Sequence, residues 1–415
     1  MTFEEVAALY TEHVNPSLVT LMRFMGFEEL EGEGDGHIVR SEAGTEYIDL
    51  LGGFGVFSMG HTHQRIVDAA CEQLRKAPLS SRLLLSELTG RLGAELARIT
   101  PGDLEYCFFC NSGAEAVEGA LKVARFATRR PKIVSTEGAF HGKTLGALSV
   151  SGRDIYKEPF QPLLPGVELV PFGDADALAA AVDHTTAAVI LEPIQGEAGV
   201  IVPPDGYLAA ARQACDDSGA LLILDEIQTG MGRTGRAFAC EHEGVVPDVM
   251  TLGKALGGGV MPLGAFIARP EHWTLFEENP LIHSSTFGGS PAACAAGLAA
   301  IEVMEEEELA RQAAEKGEPF RERLREIASK FPGTIEDVRG RGLMTGMSFS
   351  DKDIGGLVIA GLAQRQVLAA YTLNNPSVLR LQPPLSIGAD VLEDVAGRLE
   401  EAVAQTVELV SDLDM

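Results

Sequence analysis

Basic residues are scarce in this 415-residue sequence, since 33 Lys and Arg stand against 60 Asp and Glu and leave a formal net charge of −27. A field of that sign repels polyanions, so we expect neither nucleic acid nor an anionic membrane as a partner. The same field attracts cationic amines, although an acidic surface that only keeps the protein soluble is the simpler explanation.

Long apolar runs and a basic leader are also missing. No run approaches the ~20 apolar residues needed to span a bilayer. The N-terminal stretch MTFEEVAALYTEHV begins acidic and has no apolar core behind a basic region. We therefore expect a cytoplasmic protein.

Cysteines are few and scattered, at positions 71, 107, 110, 215, 240 and 294, which does not indicate a disulfide framework in a chain of this length. Cys107 and Cys110 form a C-x-x-C pair, but YCFFC is typical of a buried strand, and no second pair or nearby His supplies further ligands. His61 and His63 in GHTHQ lack a carboxylate partner in the pattern, so a structural role is favoured. We expect no metal site.

The hydrophobic content, 46%, is enough for a large core. Short apolar runs alternate with helical patterns: EYCFFC, KIVS near 132, AAVILE near 187, LLILD near 221, VMTL near 249 and GAFIA near 264. This alternation predicts an α/β fold with a mainly parallel sheet and helices on both faces. Residues 37–53 predict a hairpin with a turn at 42–45, and a long helical tract is predicted over about 290–329.

The predicted elements divide the chain into three parts. Residues 1–59 form the N-terminal segment of a small lobe, residues 60–295 a large domain, and residues 296–415 a connecting helix followed by a C-terminal small domain. The C-terminal part contains MTGMSFS and VLRLQPPL, and we expect this α+β lobe to pack with the N-terminal segment.

Two charged residues follow adjacent apolar runs. Asp225 ends LLILD, and Lys254 lies two residues after VMTL, at strand ends where ligands of parallel sheets gather. A lysine among Leu252, Ala255 and Leu256 loses hydration, which favours its neutral, nucleophilic amine. Ala255 excludes a Walker phosphate loop, which requires Ser or Thr after the lysine. An acid for a cationic ring nitrogen and an amine for an aldehyde together indicate pyridoxal phosphate.

Several motifs share the order and spacing of one family: FFCNSGAEAVEGALKVAR, GAFHGKTLGALS, LEPIQGEAGV, DEIQTGMGRTG, GKALGGGVMPLGA and STFGGSP. From about residue 35 to about residue 390, the chain resembles the class III aminotransferases of fold type I. Within them it is most similar to the putrescine aminotransferases, which share CNSG, PFQPLLPG, FACEHEGV, KALGGGVMP and TLNN. The resemblance implies a pyridoxal phosphate-dependent homodimer with a small lobe formed from both termini.

The resemblance also assigns contacts to the cofactor. Gly113 and Ala114 are expected to bind the phosphate, and because Ala114 stands where the family has Thr or Ser, Ser112 is a candidate replacement. An ordinary helix cap explains Ser112 equally well. Phe140 is expected to stack on the pyridine ring, with His141 beside it, although a lone Phe is normally a core residue.

Five further positions complete the expected cofactor site. Asp225 would pair with the pyridine nitrogen and Gln228 with the phenolic oxygen, and Glu192 would lie behind them. Lys254 would bind the cofactor covalently and carry the proton between substrate and cofactor. Thr286 would reach the partner subunit's phosphate across a dimer interface, although by itself it reads as an ordinary loop residue.

Three residues concern the substrate. In the family, the residue matching Arg380 binds the α-carboxylate of glutamate or 2-oxoglutarate, and Glu197 resembles the gate that pairs with it when the amine lacks that carboxylate. A structural ion pair is the alternative interpretation. Phe54 replaces a Tyr whose hydroxyl contacts the substrate carboxylate in ornithine aminotransferases, so this chain is predicted to prefer a donor without an α-carboxylate.

The sequence therefore predicts an aminotransferase that moves a terminal amino group between a primary amine, such as a putrescine-like diamine, and a keto acid such as 2-oxoglutarate. An acetylornithine or ornithine aminotransferase is the main alternative. A biosynthetic transaminase acting on a long-chain or polyketide-type aldehyde is another. A pyridoxal phosphate-binding regulator without turnover is disfavoured because both Lys254 and Asp225 are present.

Overall fold

The N-terminal part of the computed structural model, which describes residues 1–413, contains helices and three consecutive antiparallel strands. The second and third of these strands pair Ile38 with Ile48, which confirms the predicted hairpin. The elements up to residue 99 are α1 (Phe3–His13), α2 (Pro16–Phe24), β1 (Glu31–Asp35), β2 (Ile38–Ser41), β3 (Glu46–Asp49), α3 (Gly52–Gly55), α4 (Gln64–Lys76) and α5 (Glu87–Ile99).

The middle of the chain alternates strands and helices, as the apolar runs predict. Its elements are β4 (Tyr106–Cys110), α6 (Gly113–Thr128), β5 (Lys132–Thr136), α7 (Leu145–Val150), α8 (Asp154–Lys157), β6 (Val167–Val170), α9 (Ala175–Ala181), β7 (Thr186–Leu191), α10 (Tyr207–Ser218), β8 (Leu221–Asp225), β9 (Val249–Leu252), β10 (Gly264–Ala268) and α11 (Thr274–Glu278). The strands form one seven-stranded sheet in the order β4-β10-β9-β8-β7-β5-β6. Only β10 runs against its neighbours in this sheet, so the prediction of a mainly parallel sheet is confirmed.

The C-terminal part contains α12 (Pro291–Glu306), α13 (Leu309–Lys330), β11 (Ile335–Arg341), β12 (Met344–Phe349), α14 (Lys352–Gln364), β13 (Val367–Leu368), β14 (Ala370–Tyr371), β15 (Val378–Leu381) and α15 (Ala389–Leu413). Strand β13 pairs with β3, and the Gln382 N–H donates to the Leu50 carbonyl at 2.7 Å. The two termini therefore pack together as expected. The boundaries at 60 and 295 stay predictions.

Two sequence expectations needed correction. The helical tract over 290–329 is two helices, because the chain turns at Glu308 with a φ of 51°. The run EEEE at 305–308 leads directly into the amino end of the second helix at Leu309, where the helix dipole favours negative charge. Strand β6 was missed because it lies at the sheet edge and the exposed Glu168 interrupts its apolar pattern.

His61 is part of a buried pair that the sequence pattern did not reveal. Its Nε2 lies 2.7 Å from the Asp49 carboxylate, and its ring stacks on Phe57 at 3.8 Å. The other Asp49 oxygen accepts the N–H groups of Leu51 and Gly52. This pair therefore fixes the segment that leads to Phe54.

Within residues 1–413, the helices are all too short or too polar to cross a membrane.

Candidate active site

The carboxyl ends of five parallel strands converge at one edge of the large sheet. Strand β8 ends at Asp225, β7 ends one residue before Glu192, and β9 ends two residues before Lys254. The ends of β4 and β5 lead to Ser112 and to Phe140. All of these strands run in one direction, and so each turn that follows delivers its side chain to the same crevice.

A cavity of about 220 Å³ occupies this crevice. It brings together nine of the residues singled out in the sequence. Its lining is Gly113, Ala114, Phe140, His141, Gly142, Glu192, Glu197, Asp225, Ile227, Gln228, Thr229 and Lys254.

Asp225 is buried at the cavity floor, where its Oδ2 lies 2.7 Å from His141 Nδ1. Burial opposes the charge on His141, but the hydrogen bond to Asp225 and its charge outweigh that effect and raise the pKa of His141. Glu192 accepts the Phe140 N–H at 2.9 Å and the Gly196 N–H at 3.3 Å, while burial raises its pKa to about 7. These carboxylates fix the loop that carries Phe140 and His141.

Lys254 opens the turn after β9 and has a φ of 45°. Left-handed backbone at a residue other than glycine costs roughly 1 to 2 kcal/mol, and such strain clusters at functional sites. Burial lowers the pKa of Lys254, against the opposing charges of Glu197 and Asp225. The result is an amine more readily deprotonated than that of an exposed lysine.

The amino end of the 16-residue helix α6 forms a second wall. Ser112 is its cap, and the Ser112 Oγ accepts the Glu115 N–H at 3.3 Å. The N–H groups of Gly113 and Ala114 precede the intrahelical hydrogen bonds and are available to an anion. A Cβ at Gly113 would lie 2.6 Å from Ile227 Cδ1, so a side chain there would displace Ile227.

The third wall carries an ion pair. Arg380 is fully buried and its Nη1 donates to Glu197 Oε1 at 2.5 Å, while its Nε and Nη2 have no partner among the described residues. Gln228 Nε2 donates to the same Glu197 oxygen and to the Phe54 carbonyl, both at 3.3 Å. Gln228 thus connects the Arg380–Glu197 pair to the rest of the cavity.

Phe54 lies over Arg380, with its ring centroid 4.8 Å from the guanidinium carbon. Its backbone has a φ of 61°, and 48% of the residue is exposed at the rim of the crevice. The arginine therefore faces an aromatic ring that offers no hydroxyl.

Thr286 is the expected site residue that lies apart. It is exposed in the loop before α12, and its carbonyl accepts hydrogen bonds from Arg82 rather than facing its own chain's cavity.

Gln382 was missed by the sequence analysis. Its side chain is fully buried close to Gly55, and both of its amide atoms lack partners within the described chain. The signal that identifies it is a polar residue inside the apolar run VLRLQPPL.

The residues present fit pyridoxal phosphate. The helix terminus offers N–H groups for a phosphate, Asp225 offers a buried carboxylate for a cationic ring nitrogen, and Lys254 offers an amine. Two residues that line this cavity also have buried polar atoms with no partner among residues 1–413, namely Gln228 Oε1 and His141 Nε2.

Comparison with known proteins indicates the same family that the sequence motifs resemble. Residues 30–403 match the family Aminotransferase class-III. The ornithine aminotransferase of Toxoplasma gondii ME49 is 34% identical over 98% of this chain and 96% of that chain, with a TM-score of 0.92. The acetylornithine aminotransferase of Elizabethkingia anophelis is 33% identical over 97% of this chain and 99% of that chain, with a TM-score of 0.85. A transaminase from the marine bacterium Virgibacillus is 26% identical over 98% of this chain and 100% of that chain, with a TM-score of 0.91. The chain belongs to the class III aminotransferases, enzymes that use pyridoxal phosphate.

Proposed function

We propose that this aminotransferase moves a terminal amino group from a primary amine without an α-carboxylate, such as a putrescine-like diamine or another ω-amine, to a keto acid such as 2-oxoglutarate. The observation that carries the proposal is the buried pair of Arg380 and Glu197 beneath Phe54. It gives one site two electrostatic states.

Arg380 serves the acceptor. Two of its guanidinium nitrogens, Nε and Nη2, are buried with no partner in the described part of the chain, and a substrate carboxylate would satisfy both through a bidentate contact. Glu197 must then move away, because two carboxylates competing for one arginine repel each other. The keto acid therefore binds the open state, in which Glu197 has moved away from Arg380.

Glu197 serves the donor. An amine without a carboxylate leaves Arg380 with no substrate charge to neutralise, and an unpaired buried guanidinium is strongly unfavourable. The closed state, in which Glu197 is paired with Arg380, removes that penalty. Phe54 adds to the preference because it cannot donate a hydrogen bond to a carboxylate at the rim, where desolvation without compensation costs roughly 1 to 3 kcal/mol.

Bound pyridoxal phosphate supplies an aldehyde for primary amines and a ring that accepts the electron pair released at the substrate carbon. Asp225, held by His141, would keep a proton on the ring nitrogen. Gly113 and Ala114, with Ser112 at the cap, would hold the phosphate, and Phe140 would pack against the ring. Gln228 would hydrogen-bond the phenolic oxygen, and Glu192 holds the loop that bears Phe140 and His141.

Lys254 acts as attachment point and as base. Burial lowers the pKa of this amine, and its Nζ would take the proton from the substrate carbon and return it to the cofactor, a transfer that the second half-reaction would reverse.

The enzyme acts as a homodimer. Thr286 is exposed on a loop outside its own cavity, and it would complete the phosphate site of the partner subunit.

Ornithine or acetylornithine as donor is the second candidate, because structures of two such enzymes match this chain at 33–34% identity over nearly its full length. A donor panel separates the two candidates. With 2-oxoglutarate as acceptor, putrescine, cadaverine and a long alkyl amine should give higher kcat/KM values than ornithine or acetylornithine. If ornithine or acetylornithine gives the highest value, the second candidate is correct.

A further inference from the structure

A loop of the small lobe, residues 372–375 between β14 and β15, docks directly onto Glu197. The Leu373 N–H donates to Glu197 Oε2 at 2.9 Å, and the Asn374 N–H donates to the Glu197 carbonyl at 2.8 Å. The Asn374 side chain donates to the Gly138 carbonyl at 2.9 Å. Glu197 is therefore held from two sides, by Arg380 at one oxygen and by Leu373 at the other.

The opposite side of Leu373 is also fixed. Its carbonyl accepts hydrogen bonds from the Arg153 guanidinium and, at 3.1 Å, from the Tyr156 hydroxyl. The Tyr156 ring lies against two cations, with Lys143 Nζ 4.1 Å and Arg153 Cζ 5.5 Å from its centroid. Arg153 and Tyr156 lie at the start of α8 and within it, and neither lines the cavity of the crevice.

The contacts form one continuous chain. Arg153 and Tyr156 hold the Leu373 carbonyl, the Leu373 N–H holds Glu197, and Glu197 holds Arg380. Burial works against the charge on Glu197, but Arg380 and the Leu373 N–H outweigh it and lower its pKa. In this arrangement Glu197 is a carboxylate directed at the arginine.

We propose that Arg153 and Tyr156 are positioning residues that set the balance of the Arg380–Glu197 switch. By holding Leu373 in place they stabilise the closed pair, and so they set the affinity for the keto acid without contacting it. The inference rests on the proposed roles of Glu197 and Arg380.

The expected effect has a characteristic asymmetry. A ligand that binds only the open state has its affinity reduced by the closed fraction, so loosening the closed state tightens its binding. Loss of one hydrogen bond should tighten carboxylate binding by about threefold to tenfold. A donor that binds the already dominant closed state should change by less than about twofold.

The test uses the holoenzyme and the variants Tyr156→Phe and Arg153→Met, with Tyr106→Phe as the matched control. Tyr106 is partly exposed on β4 and far in the chain from this loop, and it stacks on Trp273. Calorimetry measures the Kd of glutarate, a dicarboxylate without a keto group, and steady-state kinetics measures KM for donor and acceptor. The glutarate Kd and the acceptor KM should fall in both loop variants and stay constant in the control.

Equal increases in donor and acceptor KM, the signature of general loosening, would overturn the inference. A second contrary result is an unchanged glutarate Kd in Tyr156→Phe together with a lowered Kd in Glu197→Gln. The Arg380–Glu197 switch would then operate independently of Tyr156. An unchanged Kd in Glu197→Gln itself would contradict the proposed switch.

A double-mutant cycle checks that the anchor acts through Glu197. Tyr156→Phe should have no further effect on glutarate binding when added to Glu197→Gln, since the interaction that it controls is already weakened. Additive effects of the two changes would contradict the inference.

Discussion

Replacing Phe54 by Tyr should shift the donor preference toward amines that carry an α-carboxylate. The Phe54 ring lies 4.8 Å from the Arg380 guanidinium carbon and is 48% exposed, so a hydroxyl at its tip has room beside a substrate carboxylate at the rim. Hydrogen bonds to charged groups contribute about 1.5 to 3 kcal/mol. The ratio of kcat/KM for ornithine to that for putrescine should therefore rise roughly 10- to 150-fold.

The assay compares the two donors with 2-oxoglutarate as the common acceptor, in the wild type, Phe54→Tyr and Phe54→Leu. Phe54→Leu keeps an apolar wall and removes the ring, so it reports the loss of aromatic contact with Arg380 without a new hydroxyl. It should leave the ratio nearly constant. An unchanged ratio in Phe54→Tyr, or an equal loss for both donors, would refute the reasoning about the donor pocket.

Three further results are expected. Asp225→Asn should lower kcat by roughly 10²- to 10³-fold in stopped-flow or steady-state assays, because it removes a preorganised charge, and a loss below about tenfold would contradict its role. Burial lowers the pKa of Lys254 below its ordinary value of 10.5. The rate at which the cofactor attaches to the apoenzyme should therefore increase with pH and level off below pH 10.5. A rate that still increases at pH 10.5 would be contrary evidence. Mixing inactive Lys254→Ala subunits with inactive Thr286→Glu subunits should restore activity, since each hybrid dimer contains one intact site, and a mixture that stays inactive would argue against a shared site.

Much of the site could be predicted because its residues follow buried strands. The apolar runs LLILD and VMTL are typical of buried strands. Because the carboxyl ends of parallel strands meet at one edge of a sheet, Asp225 and Lys254 were expected to lie close together. The motif resemblance added Glu192, Glu197 and Gln228, which the structure places in the same cavity.

The remainder depended on contacts between distant segments. Arg153 and Tyr156 lie more than 200 positions from Leu373, and nothing in their local sequence indicates which carbonyl they bind. Gln382 has a local signal, its place in the apolar run VLRLQPPL, but only the fold shows that its buried amide has no partner among the described residues. Thr286 differs again, because its predicted contact is with a partner subunit and not with its own chain.

The similarity to putrescine aminotransferases stays a prediction. The matched structures named above include ornithine and acetylornithine enzymes, and they establish the class of reaction rather than the donor.

The most direct test of the site is the identity of the lysine that holds the cofactor. Borohydride reduction of the holoenzyme followed by peptide mapping should place the pyridoxyl label on Lys254, and Lys254→Ala should take up no label and lose turnover. A label on any other lysine, or near wild-type turnover by Lys254→Ala, would contradict the account.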